Sequence, residues 1–304
     1  MKKVNCYICD SKESKTLFKQ QGNDSYIKYV FDKEPENLLW KICLDCGLVY
    51  RSPVLEEKEL NILYKNYDQT VLKNEVSNDY FQKIVNIPKN ESENWQKSEW
   101  VYNQIKNRIP SHDNIEVLDV GCGGGTLLFS FNEFFKNIKL HGVELNSTYA
   151  NIAKKNLEIN VIEKHYKSGL FDKKFDLLVN TKVLEHISDP IPFLKEIYSD
   201  LKDTGFLFIE VPDVSDMFIL PADDERFFIP HIYFFSEYTL SNLLQISGFS
   251  IFSKRINKTH RNRSYLQIIA QKEEKTNKSD ELIISKKEIL KTMNKILLNM
   301  YQFQ

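Results

Sequence analysis

Four cysteines near the start of the chain form two pairs with the spacing of metal-binding knuckles. The pairs are Cys6 with Cys9 and Cys43 with Cys46, and Gly47 follows the second pair where the chain must turn. Four thiolates are the ligand set of a closed tetrahedral zinc site, which leaves no open position for a substrate. We therefore predict a structural Zn²⁺ bound by these four cysteines.

A glycine-rich stretch, 117-VLDVGCGGGTLLFS-130, follows an apolar run. Thr126 stands where a dinucleotide fingerprint requires glycine, and the Gly-Lys-Ser/Thr of a phosphate-binding P-loop is absent. The pattern instead favours a loop that brings its backbone close to a nucleoside amino acid, with Asp119 at the strand end to balance a cationic group. Glu144 ends the next apolar run, where a carboxylate accepts hydrogen bonds from ribose hydroxyls. Cys122, inside the loop, is interpreted as a small packing residue.

Short apolar runs alternate with amphipathic stretches from residue 115 onward. The predicted strands are 115–120, 140–145, 160–164, 175–180, 205–211, 249–256 and 264–271. The predicted helices of this region are 126–135, 147–156, 190–201 and 236–248, the last with Ser236 as a loose cap and Gly248 at its end. Such alternation builds an α/β, doubly wound, mostly parallel seven-stranded sheet of the Rossmann-like type, whose last two strands pair antiparallel.

The chain is predicted to divide into four segments. These are a zinc-binding module at 1–54, a helical connector and cofactor lid at 55–110, the core at 111–272 and a helical tail at 273–304. The tail carries apolar residues at helical spacing, namely Leu282, Ile283, Ile289, Leu290, Met293, Ile296, Leu297 and Met300. We expect it to dock on its own domain or on a partner, and its apolar face offers a surface for oligomerisation.

Composition excludes several classes of partner. The formal net charge is −1, which gives no electrostatic reason to expect nucleic acid as a partner. The first residues lack the apolar core of a signal peptide, and no apolar run approaches the roughly 18–20 residues that span a bilayer. We therefore expect a cytoplasmic protein without a membrane span.

Three stretches of the core resemble class I S-adenosylmethionine-dependent methyltransferases. They are 115-IEVLDVGCGGG-125, 141-HGVEL-145 and 175-FDLLVNTKVLEHISDPIPFLKEIYSDLKDTGFLFIEVP-212. The resemblance implies S-adenosyl-L-methionine as cofactor. It places Gly121, Gly123 and Gly125 against the methionine part, Asp119 and the backbone of Asn180 near its amino group, Glu144 on the ribose and Leu145 beside the adenine. The acid that many members carry after the third strand has no obvious counterpart here, and His165 or Tyr166 is our candidate for the adenine wall.

The four-cysteine module joined to this core is similar to that of the sugar C-methyltransferases of deoxysugar pathways and related surface-polysaccharide enzymes. The stretch 43-CLDCGLVYRSP-53 carries that similarity. It implies a small acceptor, in the form of a nucleotide-linked sugar or another glycan precursor.

Methyl transfer requires a base to take a proton from the acceptor. His231 is the first candidate and His186 the second, because imidazole accepts protons near neutral pH. The Tyr-x-Glu-His motif of the sugar C-methyltransferases reads Phe228-Ile229-Pro230-His231 here, so the histidine is kept while the tyrosine and glutamate are not. O-methylation, which needs one base for one hydroxyl, is therefore as plausible as C-methylation.

Several other functions stay open at the level of sequence. Some related O-methyltransferases bind a metal through Glu-x-x-Glu-His, but Lys182 occupies the first position of that motif and argues against a catalytic metal. The motif Asn/Asp-Pro-Pro-aromatic of nucleic-acid amine methyltransferases is replaced by 180-NTKV-183. The alternatives are a catalytically silent, zinc-bearing interaction protein, a methyltransferase of another small or macromolecular acceptor, and a nicotinamide-dependent oxidoreductase that Thr126 disfavours.

Overall fold

The central element of the protein is a seven-stranded α/β sheet. The computed structural model describes residues 1–20, 24–33, 35, 37–70, 79–109, 114–259, 262–273 and 286–302, with the backbone alone for 64–70 and 301–302. Eleven strands are found in these residues: β1 Ser14–Lys19, β2 Leu39–Cys43, β3 Val49–Ser52, β4 Ile115–Val120, β5 Ile138–Val143, β6 Asn160–Ile162, β7 Phe175–Thr181, β8 Leu201–Pro212, β9 Tyr233–Phe234, β10 Phe249–Lys258 and β11 Ser264–Lys272.

The large sheet has the strand order β10-β11-β8-β7-β4-β5-β6. The four pairings among β8, β7, β4, β5 and β6 are parallel, whereas β11 pairs antiparallel with both β8 and β10. The predicted mostly parallel, seven-stranded sheet with an antiparallel last pair is confirmed. The strand order reverses direction at β4, so the carboxyl ends of β4 and β7 border the crevice where ligands of such sheets bind.

Helices cover both faces of this sheet. Eight are found in the described residues: α1 Glu57–Thr70, α2 Tyr80–Val85, α3 Glu93–Ile105, α4 Thr126–Asn132, α5 Ser147–Leu157, α6 Pro190–Asp200, α7 Glu237–Ile246 and α8 Lys286–Gln302. Alternate residues of β8 serve the two faces: Phe206 and Phe208 pack with α3, α4 and α5, whereas Leu207 and Ile209 pack with α6 and α7. This alternation with period two buries β8 on both sides, as expected in a parallel sheet.

Several predicted boundaries shift by a few residues. Helix α4 ends at Asn132, before residue 135, and β5 ends at Val143, which leaves Glu144 directly beyond the strand. The loose cap expected at α7 is wrong, because Ser236 and Thr239 form a full capping box with reciprocal hydrogen bonds. Threonine takes the third helical position here in place of the usual Glu or Gln, which hid the motif in the sequence.

A second, four-stranded antiparallel sheet has the order β1-β2-β3-β9. Three of its strands belong to the N-terminal segment, but β9 comes from the core, with Tyr50 opposite Tyr233 and Val49 opposite Phe234. The cysteine-bearing segment is thus bonded directly to a core loop that follows β8. This pairing was not expected from the sequence, because a two-residue strand has no periodicity of its own.

The C-terminal helix docks on the N-terminal sheet. Ile289, Ile296 and Met300 are buried in a cluster that includes Leu17 of β1. The side chain of Asn299 donates hydrogen bonds to the carbonyls of Met217 and Leu220. The expected docking on its own chain is therefore seen for 286–302, while Leu282 and Ile283 lie outside the described residues. No helix in the described part of the chain has the length and apolar character that crossing a bilayer requires.

Candidate functional site

The glycine loop between β4 and α4 has a backbone that most residues could not adopt. Gly121 has φ +81°, and a Cβ there would clash with the side chain of Val183. Gly125 has φ +78°, and its Cβ would lie 2.7 Å from Leu157 Cδ1. Both glycines are therefore required by backbone conformation and by close packing of the turn after β7 and of α5. At Gly123 a Cβ would meet nothing within 4 Å, so this side of the loop faces open space.

Glu144 is fixed at the tip of β5 by backbone N–H groups. The amide of Gly123 donates to Oε2 at 2.8 Å, and the amide of Asn146 donates to Oε1 at 2.8 Å. The carboxylate therefore spans from the glycine loop to the start of α5. A carboxylate has about four lone-pair sites, so it can accept bonds from backbone amides and from a diol at once.

Two buried polar groups beneath the loop carry unsatisfied oxygen atoms. Asn180 of β7 donates from Nδ2 to the carbonyl of Val120 at 3.2 Å, while its Oδ1 has no hydrogen-bond partner among the described residues. Asp119 of β4 is 1% exposed, and its Oδ1 is likewise without a partner in that part of the chain. Burial, followed by the nearby carboxylate of Glu144, raises the pKa of Asp119 to about 8, against the opposing charge of Lys97. Buried acceptors of this kind can bond to a donor from a ligand or from a water molecule.

The three residues predicted around the adenine are placed differently. Leu145 follows Glu144 and is 43% exposed, beside the loop and available to a ligand. His165 is exposed and lies beyond β6. The hydroxyl of Tyr166 donates to Asp200 Oδ2 at 2.9 Å, at the end of α6 from which β8 begins. That is the amino-end edge of the sheet, so the structure does not bring Tyr166 to the glycine loop.

The connector covers the glycine loop with residues that the sequence did not single out. Tyr80 Cε1 lies 3.0 Å from where a Cβ on Gly124 would be, and the Tyr80 ring packs 5.4 Å from that of Tyr149 on α5. Asn94 at the start of α3 donates to the hydroxyl of Thr126 at 3.0 Å. The α2–α3 region therefore lies directly against the loop, and its role as a cofactor lid stays a prediction.

A buried ion pair beside Asp119 was also missed. Lys97 of α3 has its Nζ 2.7 Å from Glu210 Oε1, both side chains are buried, and Gln267 donates to the other oxygen of Glu210. Two signals were present in the sequence: Lys97 shares a helical face with Val101, and Glu210 interrupts an apolar strand. A buried pair of this kind fixes the connector on the end of the sheet, since a buried charge is tolerated only with its partner.

His186 and His231 come from distant parts of the chain and lie side by side. Their ring centroids are 4.8 Å apart. The Nδ1 of His186 bonds to the carbonyl of Pro230 at 2.8 Å, and that of His231 to the carbonyl of Arg226 at 2.8 Å. A carbonyl oxygen only accepts, so each Nδ1 carries the proton and each Nε2 holds the lone pair.

Burial keeps both rings neutral. It lowers the pKa of His186 and holds that of His231 well below the ordinary value, with the neighbouring His186 as the second cause for His231. The two predicted bases are thus brought together in the proton-accepting form. His186 belongs to the turn after β7, three residues beyond the Val183 that would meet a Cβ on Gly121, so the pair lies at the carboxyl-end edge of the sheet that also carries the glycine loop.

The histidines open into a cavity of about 250 Å³. It is lined by Tyr26, Leu63, His186, Glu225, Phe228, Pro230 and His231. Tyr26 precedes a 3₁₀ turn of the N-terminal segment and Leu63 lies on α1, so two walls come from outside the core. Apolar and aromatic walls with a few convergent polar groups are typical of small-molecule sites.

The residues at the position of the Glu-x-x-Glu-His metal motif bear on the predicted absence of a catalytic metal. Lys182 turns to Glu93, with Nζ 3.7 Å from Oε2, and offers no ligand. Glu185, His186 and His231 nevertheless have ligand-type atoms within 4.8 Å of one another, His231 being supplied by a distant loop. Burial raises the pKa of Glu185 to about 8, so this carboxyl is mainly protonated at neutral pH in the free chain. The absence of a metal here remains a prediction.

The four N-terminal cysteines converge as predicted. The Sγ atoms of Cys6 and Cys46 are 3.3 Å apart, those of Cys9 and Cys43 are 3.6 Å apart, and all four lie within 4.8 Å of one another. A tetrahedral site with Zn–S bonds of about 2.3 Å requires Sγ atoms about 3.8 Å apart. The cysteines are free thiols, and the amide of Cys46 points to Cys43 Sγ at 3.5 Å, a bond that orients a ligating thiolate. The cluster fits a four-sulfur metal site.

Comparison with known families agrees with this geometry. The profile of the family Methyltransf_23, described as a methyltransferase domain, matches residues 94–254. The chain belongs to this methyltransferase family. The match begins at α3 and includes the glycine loop, Glu144 and both histidines. It confirms the expected class I methyltransferase domain.

Curated relatives of this methyltransferase are similar over about a third of the chain. The ubiquinone biosynthesis O-methyltransferase of Pelagibacter ubique is 34% identical over 101 residues, which are 32% of this chain and 41% of the relative. The enzyme of the same name from Bartonella tribocorum is 29% identical over 103 residues, with 32% and 41% covered. The chain thus spans less than half the length of these relatives.

Solved structures share the fold of this methyltransferase. The 1,6-didemethyltoxoflavin-N1-methyltransferase of Burkholderia thailandensis superposes with a TM-score of 0.53 at 17% identity, covering 76% of this chain and 97% of that one. The magnesium protoporphyrin IX methyltransferase of Synechocystis, with bound S-adenosylhomocysteine, gives 0.51 at 15% identity, with 70% and 98% covered. At such identities the likeness concerns the fold alone.

Proposed function

We propose that the protein is an S-adenosylmethionine-dependent methyltransferase that acts on a hydroxyl of a small, sugar-type acceptor. One observation carries the proposal above all. The glycine loop after β4 is bonded to Glu144 through Gly123, and two neutral histidines, of which His186 lies on the turn after β7, open into a cavity. A nucleoside seat, a base and an acceptor space thus share one edge of the sheet.

The residues around the glycine loop fit S-adenosylmethionine. The unsatisfied oxygens of Asp119 and Asn180 would accept hydrogen bonds from its ammonium group, while Glu144 would accept those of the ribose hydroxyls. Open space beside Gly123 leaves room for the methionine chain. When bound, the cofactor supplies a methyl group already activated on a sulfonium, so the protein has to position the acceptor and remove its proton.

His231 is the proposed base. Its Nδ1–H is held by the carbonyl of Arg226, which fixes the ring and directs the lone pair of Nε2 away from that bond. In this tautomer Nε2 accepts the proton of the acceptor hydroxyl, and the resulting imidazolium is stabilised by the carbonyl. His186, with the same tautomer and 4.8 Å away, is proposed to orient the acceptor.

The cavity and the N-terminal module both favour a sugar-type acceptor. Tyr26 and Phe228 offer aromatic faces, while Glu225 and the two histidines offer groups for hydroxyls. A volume of about 250 Å³ suits one ring. The similarity of the cysteine module to that of sugar-modifying enzymes supports a sugar, and the loss of the tyrosine and glutamate of the Tyr-x-Glu-His motif supports transfer to oxygen. The names of the curated O-methyltransferases agree with oxygen as the methylated atom.

The acceptor is tested with a panel of nucleotide sugars, free sugars and catechols. The expected result is a mass increase of one methyl group on a nucleotide sugar or sugar, located on oxygen by NMR of the product. Methylation of a catechol alone would overturn the sugar proposal while keeping the activity. Methylation of carbon would overturn the oxygen assignment.

Cofactor binding is expected to release a proton at neutral pH. The raised pKa of Asp119 means that its carboxyl contributes stability below pH 3.8 and loses that contribution as the pH rises through about 8. An ammonium group placed beside it favours ionisation, so binding at pH 7 should expel up to about one proton. Calorimetry in buffers of different ionisation enthalpy measures this number. Asp119→Asn should abolish it, and a buffer-independent enthalpy in the wild type would contradict the placement of Asp119.

Zn²⁺ is proposed as the ion of the four-cysteine site, with a structural role. Cys43→Ser removes one of four thiolates, so purified protein should lose most of about one equivalent of zinc, because a three-thiolate site binds far more weakly. Metal analysis measures the content and thermal unfolding the loss of stability. Cys122→Ser is the matched control, since Cys122 lies in the glycine loop. Equal zinc in Cys43→Ser and the wild type would contradict the site.

A further inference from the structure

The loop that carries His231 is held from outside the core. Strand β9 follows this loop directly and pairs with β3 of the N-terminal sheet. The amide of Arg51 on β3 donates to the carbonyl of Ile232 at 2.9 Å, which continues the pairing to the residue after His231. On the other side, the amide of Ile232 donates to the carbonyl of Glu185 at 2.9 Å. The segment is therefore tied to the N-terminal sheet and to the His186 turn at once.

Arg51 joins the two ends of the turn before His231. Its side chain is fully buried, with Nε donating to the carbonyl of His231 at 3.1 Å and Nη2 to the carbonyl of Phe227. The guanidinium lies 4.8 Å from the ring of Trp40, which holds its plane. Within the described residues it forms no salt bridge, so its planar fork binds backbone carbonyls in place of a carboxylate. Such a fork fixes two acceptors in a defined geometry, which a lysine cannot do.

Asp24 holds the middle of the same turn. Its Oδ2 accepts the amide of Ile229 at 2.6 Å and the side chain of Gln20 at 3.0 Å, while Oδ1 accepts the amide of Tyr26. All three donors are N–H groups, so the side chain at position 24 must present acceptor oxygens to them. Tyr26, which lines the cavity, packs 6.1 Å from Phe228 of the turn. One short stretch of the N-terminal segment thus binds the turn and also forms a wall of the cavity.

We propose that Arg51 and Asp24 are positioning residues that set the place and tautomer of His231. The inference rests on the proposed function, since it assigns His231 the role of base. On this proposal the zinc-binding module forms part of the active site, because the turn at Cys43–Cys46 connects β2 to the strand that carries Arg51. Three contacts at Phe227, Ile229 and His231 fix the carbonyl of Arg226 that receives Nδ1–H.

The test uses three variants and a readout that needs no acceptor. Arg51→Met removes the fork, Arg51→Lys keeps the charge without the fork, and Asp24→Asn turns an NH₂ group toward donors that need an acceptor. Ile197→Val is the control, a buried change on α6 that lowers stability away from the turn. Long-range ¹H–¹⁵N NMR of histidine-labelled protein, with His231 assigned by its loss in His231→Ala, reports the tautomer directly.

In the wild type His231 should be protonated on Nδ1 alone. Both Arg51 variants should show a mixture of tautomers and a turnover about 100-fold lower, the size of a misplacement of about 1 Å, with unchanged S-adenosylmethionine affinity. Asp24→Asn should lower turnover about tenfold and alter the His231 tautomer signal. This variant tests the proposal if the Arg51 variants do not fold. An unaltered His231 signal in folded Asp24→Asn, or the same change in Ile197→Val, would overturn the proposal. If the wild type does not bind S-adenosylmethionine, the proposed function fails, whereas the tautomer result still decides this inference.

Discussion

Glu144→Ala is expected to weaken S-adenosylmethionine binding by about 100-fold. Two ribose hydroxyls would lose a charged acceptor, and bonds to a charged group are worth about 1.5–3 kcal/mol each after exchange with water. The amides of Gly123 and Asn146 would lose their shared partner as well, so the glycine loop would no longer be fixed in advance. Isothermal calorimetry with S-adenosylmethionine and S-adenosylhomocysteine measures the change.

The control for this prediction is Glu133→Ala. Glu133 is an exposed glutamate at the end of α4, so its loss changes the net charge equally without touching the loop. Its affinity should equal that of the wild type. Unchanged binding in Glu144→Ala would contradict the assignment of the ribose site, and binding of NAD in preference to S-adenosylmethionine by the wild type would favour an oxidoreductase.

His231→Ala is expected to lower turnover by about 10²–10⁴-fold, the usual contribution of a positioned general base. Cofactor affinity should change little, because the ring lies in the loop before β9 and not in the glycine loop. Burial holds the pKa of His231 well below its ordinary value, so the ring stays in the proton-accepting form to a lower pH than a free histidine does. Turnover in the wild type should stay level as the pH falls through 6.5 and decline only at lower pH, where Nε2 takes up a proton.

His141→Ala is the control for the base. His141 is half-buried and bonds to Glu116 away from the site, so its loss should cost stability and leave turnover unaltered. Full activity in His231→Ala would remove this residue from the mechanism, and a larger loss in His186→Ala would transfer the role to its neighbour. Abolition of turnover by a chelator that leaves the four-cysteine zinc in place would instead identify Glu185, His186 and His231 as ligands of a catalytic metal.

The cofactor side of the site could be predicted because its signals are local. Gly121 and Gly125 are required by positive φ and close packing, and Glu144 directly follows strand β5. The mostly parallel sheet follows from alternating strands and helices, since parallel neighbours require a crossover. The positive φ values of the glycines and the place of Glu144 depend on residues within one turn or one βα unit.

The acceptor side depends on long-range pairing and could be predicted only in part. His186 and His231 were found as residue types, but their contact depends on Ile232 bonding to Glu185. Arg51 resembles a surface cation in the sequence, and only the pairing of β3 with β9 reveals it as buried. Tyr166 was a candidate for the adenine wall, but its hydroxyl bonds to Asp200 at the end of α6, a long-range contact that the sequence does not show.

Transfer of a labelled methyl group tests the proposed methyltransferase activity most directly. Wild-type protein is incubated with S-adenosylmethionine that carries a CD₃ group and with the acceptor panel, and both products are followed by mass spectrometry. The account predicts one S-adenosylhomocysteine for each CD₃-labelled acceptor, with the label on a sugar-type compound and the reaction lost in His231→Ala. Cofactor binding without labelled product from any acceptor, at protein concentrations that allow a single turnover, would contradict the account and favour a catalytically silent domain.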